Sequence, residues 1–153
     1  MPTLKESTTR LGLTVYLIDT NVISESRKRT KADSGVRQFF RQVAREDARA
    51  FISVVTVGEL RRGVELIRHR GDLRQADRLA HWLDQLLIEY CEDVLDINAE
   101  IAQLWGRLRV PHPENALDKL IAATALIYDL TVVTRNHRDF AKTGVRLLNP
   151  FST

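Results

Sequence analysis

Four short segments carry residues able to do chemistry together: DTN at Asp19–Asn21, TVGEL ending in Glu59–Leu60, LDKLIAATA with Asp118, and TRNHRDF from Thr134 to Phe140. Carboxylates brought to one place repel one another unless a shared cation relieves them. Carboxylate, hydroxyl, amide and water oxygens are the ligands of Mg2+ or Mn2+, which keep several waters and are held by a few acidic side chains plus substrate phosphate. The chemistry open to such a set is chemistry on phosphate.

Each segment also has an ordinary reading. Asp19 fits an Asx turn or helix N-cap at a strand-to-helix junction. Thr56 and Glu59 have the spacing of a capping box. Asn115 fits a helix cap, with Asp118 at the third helical position, where a carboxylate favours the helix dipole. Thr134, Asn136 and Asp139 fit a polar turn. Together, however, these readings require unconnected elements to place acids at the same edge of one sheet by accident.

The elements that must position these residues follow from periodicity. Strands are expected at about 15–19, Ala50–Thr56, Asp93–Ile97, Leu130–Thr134 and Val145–Asn149, each a short apolar run with turn or helix signals around it. Val36, Phe39, Phe40 and Val43 recur at i, i+3, i+4, i+7 and mark an amphipathic helix. A helical hairpin is expected from Val57 through Leu60, Val64 and Ile67, breaking at Gly71 and resuming from Ala76 to Leu87. Core packing is its plain use, and a dimer surface its alternative. Ile101, Leu104, Trp105 and Leu108 mark another helix, ended by PHPEN. The last spans about 116–128, and its small residues Ala122 to Ala125 allow a close approach to the sheet. Strands alternating with helices predict an α/β fold, a parallel sheet covered on both faces. Ligands in such folds gather outside the carboxyl ends of the strands, near a topological switch point.

The 153 residues, 44% of them hydrophobic, suit one domain over 14–153, preceded by a polar extension at 1–13. Cys91, the single cysteine, excludes an internal disulfide, and it has no neighbour suggesting a nucleophile. His69, His81, His112 and His137 lack zinc spacing, and Trp82 and Trp105 read as core or interface. No apolar run reaches membrane-spanning length, and the polar start lacks a signal-peptide core. A cytoplasmic protein with no membrane partner is expected. A net charge of +3 permits a nucleic-acid partner without requiring one. The cationic clusters Arg27 to Lys31, Arg61 with Arg62, and Arg68 to Arg70 gain weight over plain solvated faces only where they flank a site.

DTNVISE, VTVGELRRGV, LDKLIAATA and VVTRNHRDF, in this order from about residue 15 to Pro150, resemble the PIN-domain family, and within it the VapC and FitB toxins of bacterial toxin–antitoxin pairs. Each motif is short, and four in order and spacing are specific. The resemblance implies a three-layer α/β/α fold with a central, mainly parallel sheet and an acidic pocket at one edge. It implies metal-dependent endoribonuclease cleavage of RNA, with Mg2+ or its substitute Mn2+, as one or two ions. Asp19, Glu59 and Asp118 match the family's first, second and third acids. Asp19 is expected as the principal direct ligand, Asp118 as the next, and Glu59 as a ligand directly or through water. Thr20 and Asn21 match companions of the first acid, and Thr134 the hydroxyl that supports it. At the fourth position, where many members carry an acid directly after the TR pair, this chain has Asn136, with Asp139 three residues on. That departure leaves a second metal open.

Arg27, Lys28 and Arg29, with Arg61 and Arg62, fall where a positive rim for RNA phosphate is expected; such contacts supply affinity rather than sequence choice. The implied partners are a VapB-like antitoxin, whose DNA-binding end contacts operator DNA and whose tail covers the acidic pocket, and a second copy of the chain. Two alternatives compete. A receiver-type phosphoacceptor needs adjacent acids after the first strand and a Lys after the last, which DTN and TRN do not supply. A catalytically weak PIN module within a DNA-binding repressor complex is the other, and Asn136 keeps it open.

Overall fold

A computed structural model describes residues 14–152; the expected extension at 1–13 and Thr153 lie outside the described residues. Strand β1 (Tyr16–Ile18) leads into α1 (Thr20–Ser26), a 3-10 turn (Arg29–Lys31) and α2 (Ser34–Arg45). Strand β2 (Ala50–Ser53) leads into the two consecutive helices α3 (Val54–His69) and α4 (Leu73–Glu89), which pack on each other, then β3 (Val94–Leu95) and α5 (Ala99–Leu108). Then come α6 (Ala116–Tyr128), β4 (Thr131–Val133), the one-turn α7 (His137–Phe140), a second 3-10 turn (Ala141–Thr143) and β5 (Arg146–Leu148). The five strands form one sheet in the order β3-β2-β1-β4-β5, and every pairing is parallel. This is the three-layer α/β/α fold expected from the sequence. The chain leaves β1 toward β2 on one side and returns to β4 on the other, so the topological switch point lies between β1 and β4.

Side chains alternate across a strand, and here the alternation divides the core in two. Ile18, Ile52 and Val133 face one layer, where they meet Val22 and Ile23 of α1, Val36 and Phe39 of α2, and the α3–α4 hairpin. Leu17, Phe51 and Val132 face the other, against Ile121, Ala122 and Ala125 of α6 and Phe140 of α7. Register enforces this sorting, since Leu17 stands opposite both Phe51 and Val132, and Ile18 opposite Val133. Leu60, Val64, Leu79, Leu83 and Leu86 of the hairpin pack in the first core, with Ile67, Trp82 and Leu87 partly buried against it. Among the described residues, no helix is long and apolar enough to cross a membrane.

The strands are shorter than their apolar runs. Ser53 ends β2 because its hydroxyl accepts from Val55 N–H at 3.0 Å and starts α3 there, so Val54 to Thr56 belong to a helix. Thr56 therefore lies inside α3, and the capping-box spacing it makes with Glu59 is coincidental. Asn115 does not cap α6 with its side chain either: it sits at φ 57°, and makes no side-chain cap bond. Helices α1 and α7 escaped the periodicity because seven and four residues are too few to show a 3.6-residue repeat.

The chain end is tied back onto α2. Asp33 Oδ1 accepts from Gly35 N–H at 2.8 Å, Val36 N–H at 3.1 Å and Ser152 N–H at 3.0 Å, while Ser152 Oγ donates to Oδ2 at 2.8 Å. These bonds, the one from Ser152 N–H foremost, hold the Asp33 carboxyl down to about 2. A Cβ at Gly35 would collide with the Pro150 carbonyl oxygen and stand 2.8 Å from Ser152 N. Gly35→Ala is accordingly expected to cost about 1–3 kcal/mol in urea denaturation, as overpacking against backbone does. An unchanged midpoint would mean that the strap moves aside freely.

Candidate active site

Asp19 follows β1 directly and is the N-cap of α1, so its local reading as a cap is correct. It is also 3% exposed, an unusual place for a carboxylate. Its Oδ1 accepts from Thr20 N–H at 2.8 Å; its Oδ2 accepts from the Thr134 hydroxyl at 2.8 Å and from Asn21 Nδ2 at 3.1 Å. Burial pushes the Asp19 carboxyl up, and the bonds from Thr134, Thr20 and Asn21 oppose that rise. Thr134 is itself fixed: its oxygen accepts from Asn136 N–H at 2.9 Å, and Asn21 Oδ1 accepts from Arg135 N–H at 3.2 Å. Residues 19 to 21 and 134 to 136 thus interlock across the switch point.

Glu59 reaches the same place from α3. Its Oε1 accepts from Thr20 Oγ1 at 2.9 Å, and the same hydroxyl lies 3.2 Å from Thr56 Oγ1. Three residues apart on one helix, Thr56 and Glu59 share a face. Burial raises the Glu59 carboxyl, Thr20 lowers it, the Asp19 charge raises it, and Arg62 lowers it. Asp118 stands in the first turn of α6, and it is pushed up from 3.8 to about 6, first by burial and then by the charges of Asp19, Asp139 and Glu59. Four carboxylates therefore share one field.

The fourth carboxylate is Asp139. Asn136 is exposed and uses its backbone N–H, whereas α7 carries Asp139 one turn on and within reach of Asp118's charge. Among the described residues none of Asp19, Glu59, Asp118 and Asp139 lies in an ion pair. Equally, no three acidic, imidazole or thiol groups converge closely enough to cage one ion. Hard oxygen donors and mutual repulsion without a paired cation are a donor set that could hold Mg2+ or Mn2+, ions bound by one or two carboxylates with waters and substrate oxygens. They do not fit a structural zinc site.

The expected cationic rim is divided. Arg27 lies beside Glu59 along a groove, and Arg62 acts on the Glu59 charge. Lys28 pairs with Glu25 at 2.9 Å, Arg61 with Asp84 at 3.7 Å and Glu65 at 3.9 Å, and Arg29 lines a separate cleft with Arg37 and Arg41. Two participants were not singled out by sequence, Ser53 as the start of α3 and Lys119, 7% exposed on α6. Thr56, read there as a helix cap, is instead a hydroxyl partner of Thr20.

A model of the PIN domain matches residues 16–145. Toxin FitB of Neisseria gonorrhoeae (strain ATCC 700825 / FA 1090) is 31% identical over 143 residues, covering 90% of this chain and 99% of that protein. The crystal structure of FitAcB from Neisseria gonorrhoeae superposes with a TM-score of 0.76 at 31% identity, over 90% of this chain and 99% of that one. A structure of FitAB bound to an IR36 DNA fragment superposes with a TM-score of 0.76 at 28% identity, over 90% and 96%.

Because Asp118 is raised, the metal-free fold holds its proton more tightly than the unfolded chain does. That stability is fully present below about 3.8 and is lost as pH rises through about 6. Asp19 and Glu59, also raised, act with the same sign. Asp33 and Glu25, both lowered, lose their contributions only at more acid pH, so the interval from 5 to 7 reports the recess. In EDTA the protein should melt higher at pH 5 than at pH 7. Asp118→Asn should gain of order 1 kcal/mol at pH 7, a figure already discounted because the group is half exposed. A destabilised Asp118→Asn at pH 7 would contradict this account of the recess.

Proposed function

This chain belongs to the PIN domain family, and on that premise we propose that it is a metal-dependent endoribonuclease, hydrolysing RNA phosphodiester bonds as the toxin of a toxin–antitoxin pair. The observation that carries the reading is the cluster of four carboxylates without a paired cation, one of them almost wholly buried, at the switch point of a parallel sheet. Asp19 and Asp118 would hold Mg2+ or Mn2+, with Glu59 a ligand directly or through water. Asp139 supplies the negative charge that Asn136 does not. Bound there, the ion supplies Lewis-acid activation of water and charge stabilisation at phosphate.

What the chain itself contributes is orientation. Thr134 and Asn21 hold Oδ2 of Asp19, so Oδ1, which accepts only the Thr20 N–H, keeps acceptor capacity. Thr20 fixes Glu59 through its hydroxyl while its N–H fixes Asp19, so one residue sets the relation of two acids. Arg27 and Arg62 offset like charge at the Glu59 side, where an RNA phosphate would otherwise be repelled.

The relatives support a partner. Toxin FitB is named as a toxin, and its structural relative FitAB is bound to DNA. By likeness, a VapB-like antitoxin would tie this chain to operator DNA, with the chain as a homodimer in the cytoplasm. The groove that opens from Glu59 and Arg27 along Ile67, Leu79 and Trp82 suits the apolar side of an antitoxin tail.

RNA cleavage by the purified chain with Mg2+ or Mn2+ tests the reading. Asp19→Asn, which keeps the side-chain volume, should lose activity by about 10²-fold or more while retaining its circular dichroism, and EDTA should do the same. Thr134→Val should lose about 10–100-fold, as removal of a ligand's supporting bond does. Equal rates for wild type and Asp19→Asn would sink the assignment. A wild type inert with both metals would favour the catalytically weak repressor module instead.

A further inference from the structure

Beside the acidic recess, between the α5–α6 connection and α7, lies a cleft of about 310 Å3 that shares Asp139 with it. Three cations line it: Lys119, Arg138 and Lys142. Lys119 is the unusual one, a lysine only 7% exposed as a residue, and the acceptor its ammonium has found is a neutral one, the His112 carbonyl oxygen. A buried ammonium has three donors and a full charge, and a single carbonyl satisfies only part of that demand. Among the described residues, none of the three cations stands within 4.0 Å of a carboxylate. The cleft's own acids offset these charges only in part: Glu114 is mostly solvated, lies 3.7 Å from His112 Nδ1 and feels the charges of Lys119 and Lys142 without pairing with either, and Asp139 also acts on the acidic recess. The same cleft receives the start of α6 at Asn115, where no side chain caps the helix, so the dipole end adds to the attraction for an anion.

We infer that this cleft is a phosphate subsite for a single-stranded RNA backbone, with Lys119 as its inner contact and Arg138 and Lys142 as its outer ones. The inference rests on the nuclease reading for the identity of the strand. Lys119 follows Asp118 on α6, so a strand whose scissile phosphate lies at the recess would place a neighbouring phosphate in the cleft. The subsite sets which stretch of strand lies across the acids, and contributes affinity independent of base identity.

The test is binding without cleavage: fluorescence anisotropy of a short labelled oligoribonucleotide against the full chain in EDTA, across a salt series. Lys119→Met should weaken binding by about 10-fold at low salt and reduce the slope of log affinity against log salt by about 0.7, the share of one phosphate contact on a single strand. The exposed pair Arg138→Ala/Lys142→Ala, which puts no core packing at risk, should reduce the slope by about twice that. Arg49→Ala, an ion-paired residue at the amino end of β2, should change neither. Lys119→Arg should restore the slope, which a purely structural tie to His112 would not require. Wild-type affinity and slope in both the Lys119 and the double variant overturn the subsite. A wild type that binds RNA with the expected slopes but cleaves nothing with Mg2+ or Mn2+ overturns the nuclease reading and leaves the subsite standing; one that binds no RNA overturns both.

Discussion

A carboxylate at 3% exposure persists as an ion only when its lost hydration is replaced, and at Asp19 three donors replace it. Each donor depends on a different part of the fold. Thr20 N–H is available because α1 begins there, and Asn21 points back because it lies in the first turn of that helix. The Thr134 hydroxyl arrives because β4 pairs with β1 in parallel, with Ile18 opposite Val133, so the residues that follow both strands come level. Slipping that register by one residue would turn Thr134 to the other layer and leave Asp19 short of a donor. What holds the register is the sorting of the two cores: Leu17 and Val132 go to one, Ile18 and Val133 to the other. The site and the core thus constrain the same strand pair from its end and from its faces.

The strands were visible in the sequence as short apolar runs with turn or helix signals around them, and most helices as a 3.6-residue repeat long enough to count. Asp19, Glu59 and Asp118 were visible because acids after apolar runs have few uses. What stayed hidden was decided elsewhere. The end of β2 depends on one hydroxyl, Ser53, taking Val55 N–H ahead of a run that reads as strand by composition. Lys119 looks like an ordinary solvated lysine until the Val110–Asn115 connection folds over it, and no pattern in α6 announces that. Within the basic clusters, Lys28 and Arg61 pair with acids three and four residues away in sequence, Glu25 and Glu65. The displaced fourth acid was legible as Asp139, yet its arrival beside Asp118 needed the single turn of α7.

Opposite charges at consecutive positions, Asp118 and Lys119, raise a last physical question: why the lysine does not quench the recess. An ammonium on a four-carbon stem could swing toward either Asp118 or Asp139, and a pair formed there would remove the repulsion that makes a divalent cation welcome. Two features prevent it. Consecutive residues on a helix diverge by about 100° around its axis, which turns Lys119 away from Asp118, while Asp139 lines the same cleft as Lys119 without pairing with it. The second is the bond from Lys119 to the His112 carbonyl oxygen, which anchors the ammonium in the cleft. The charges that move Asp118 are accordingly all negative: Asp19, Asp139 and Glu59. Both residues are placed by a helix that sits tight against the sheet, where Ile121, Ala122 and Ala125 are each at most 1% exposed. A small-residue face on one helix is in this way what keeps an acidic recess and a basic cleft adjacent without letting them cancel.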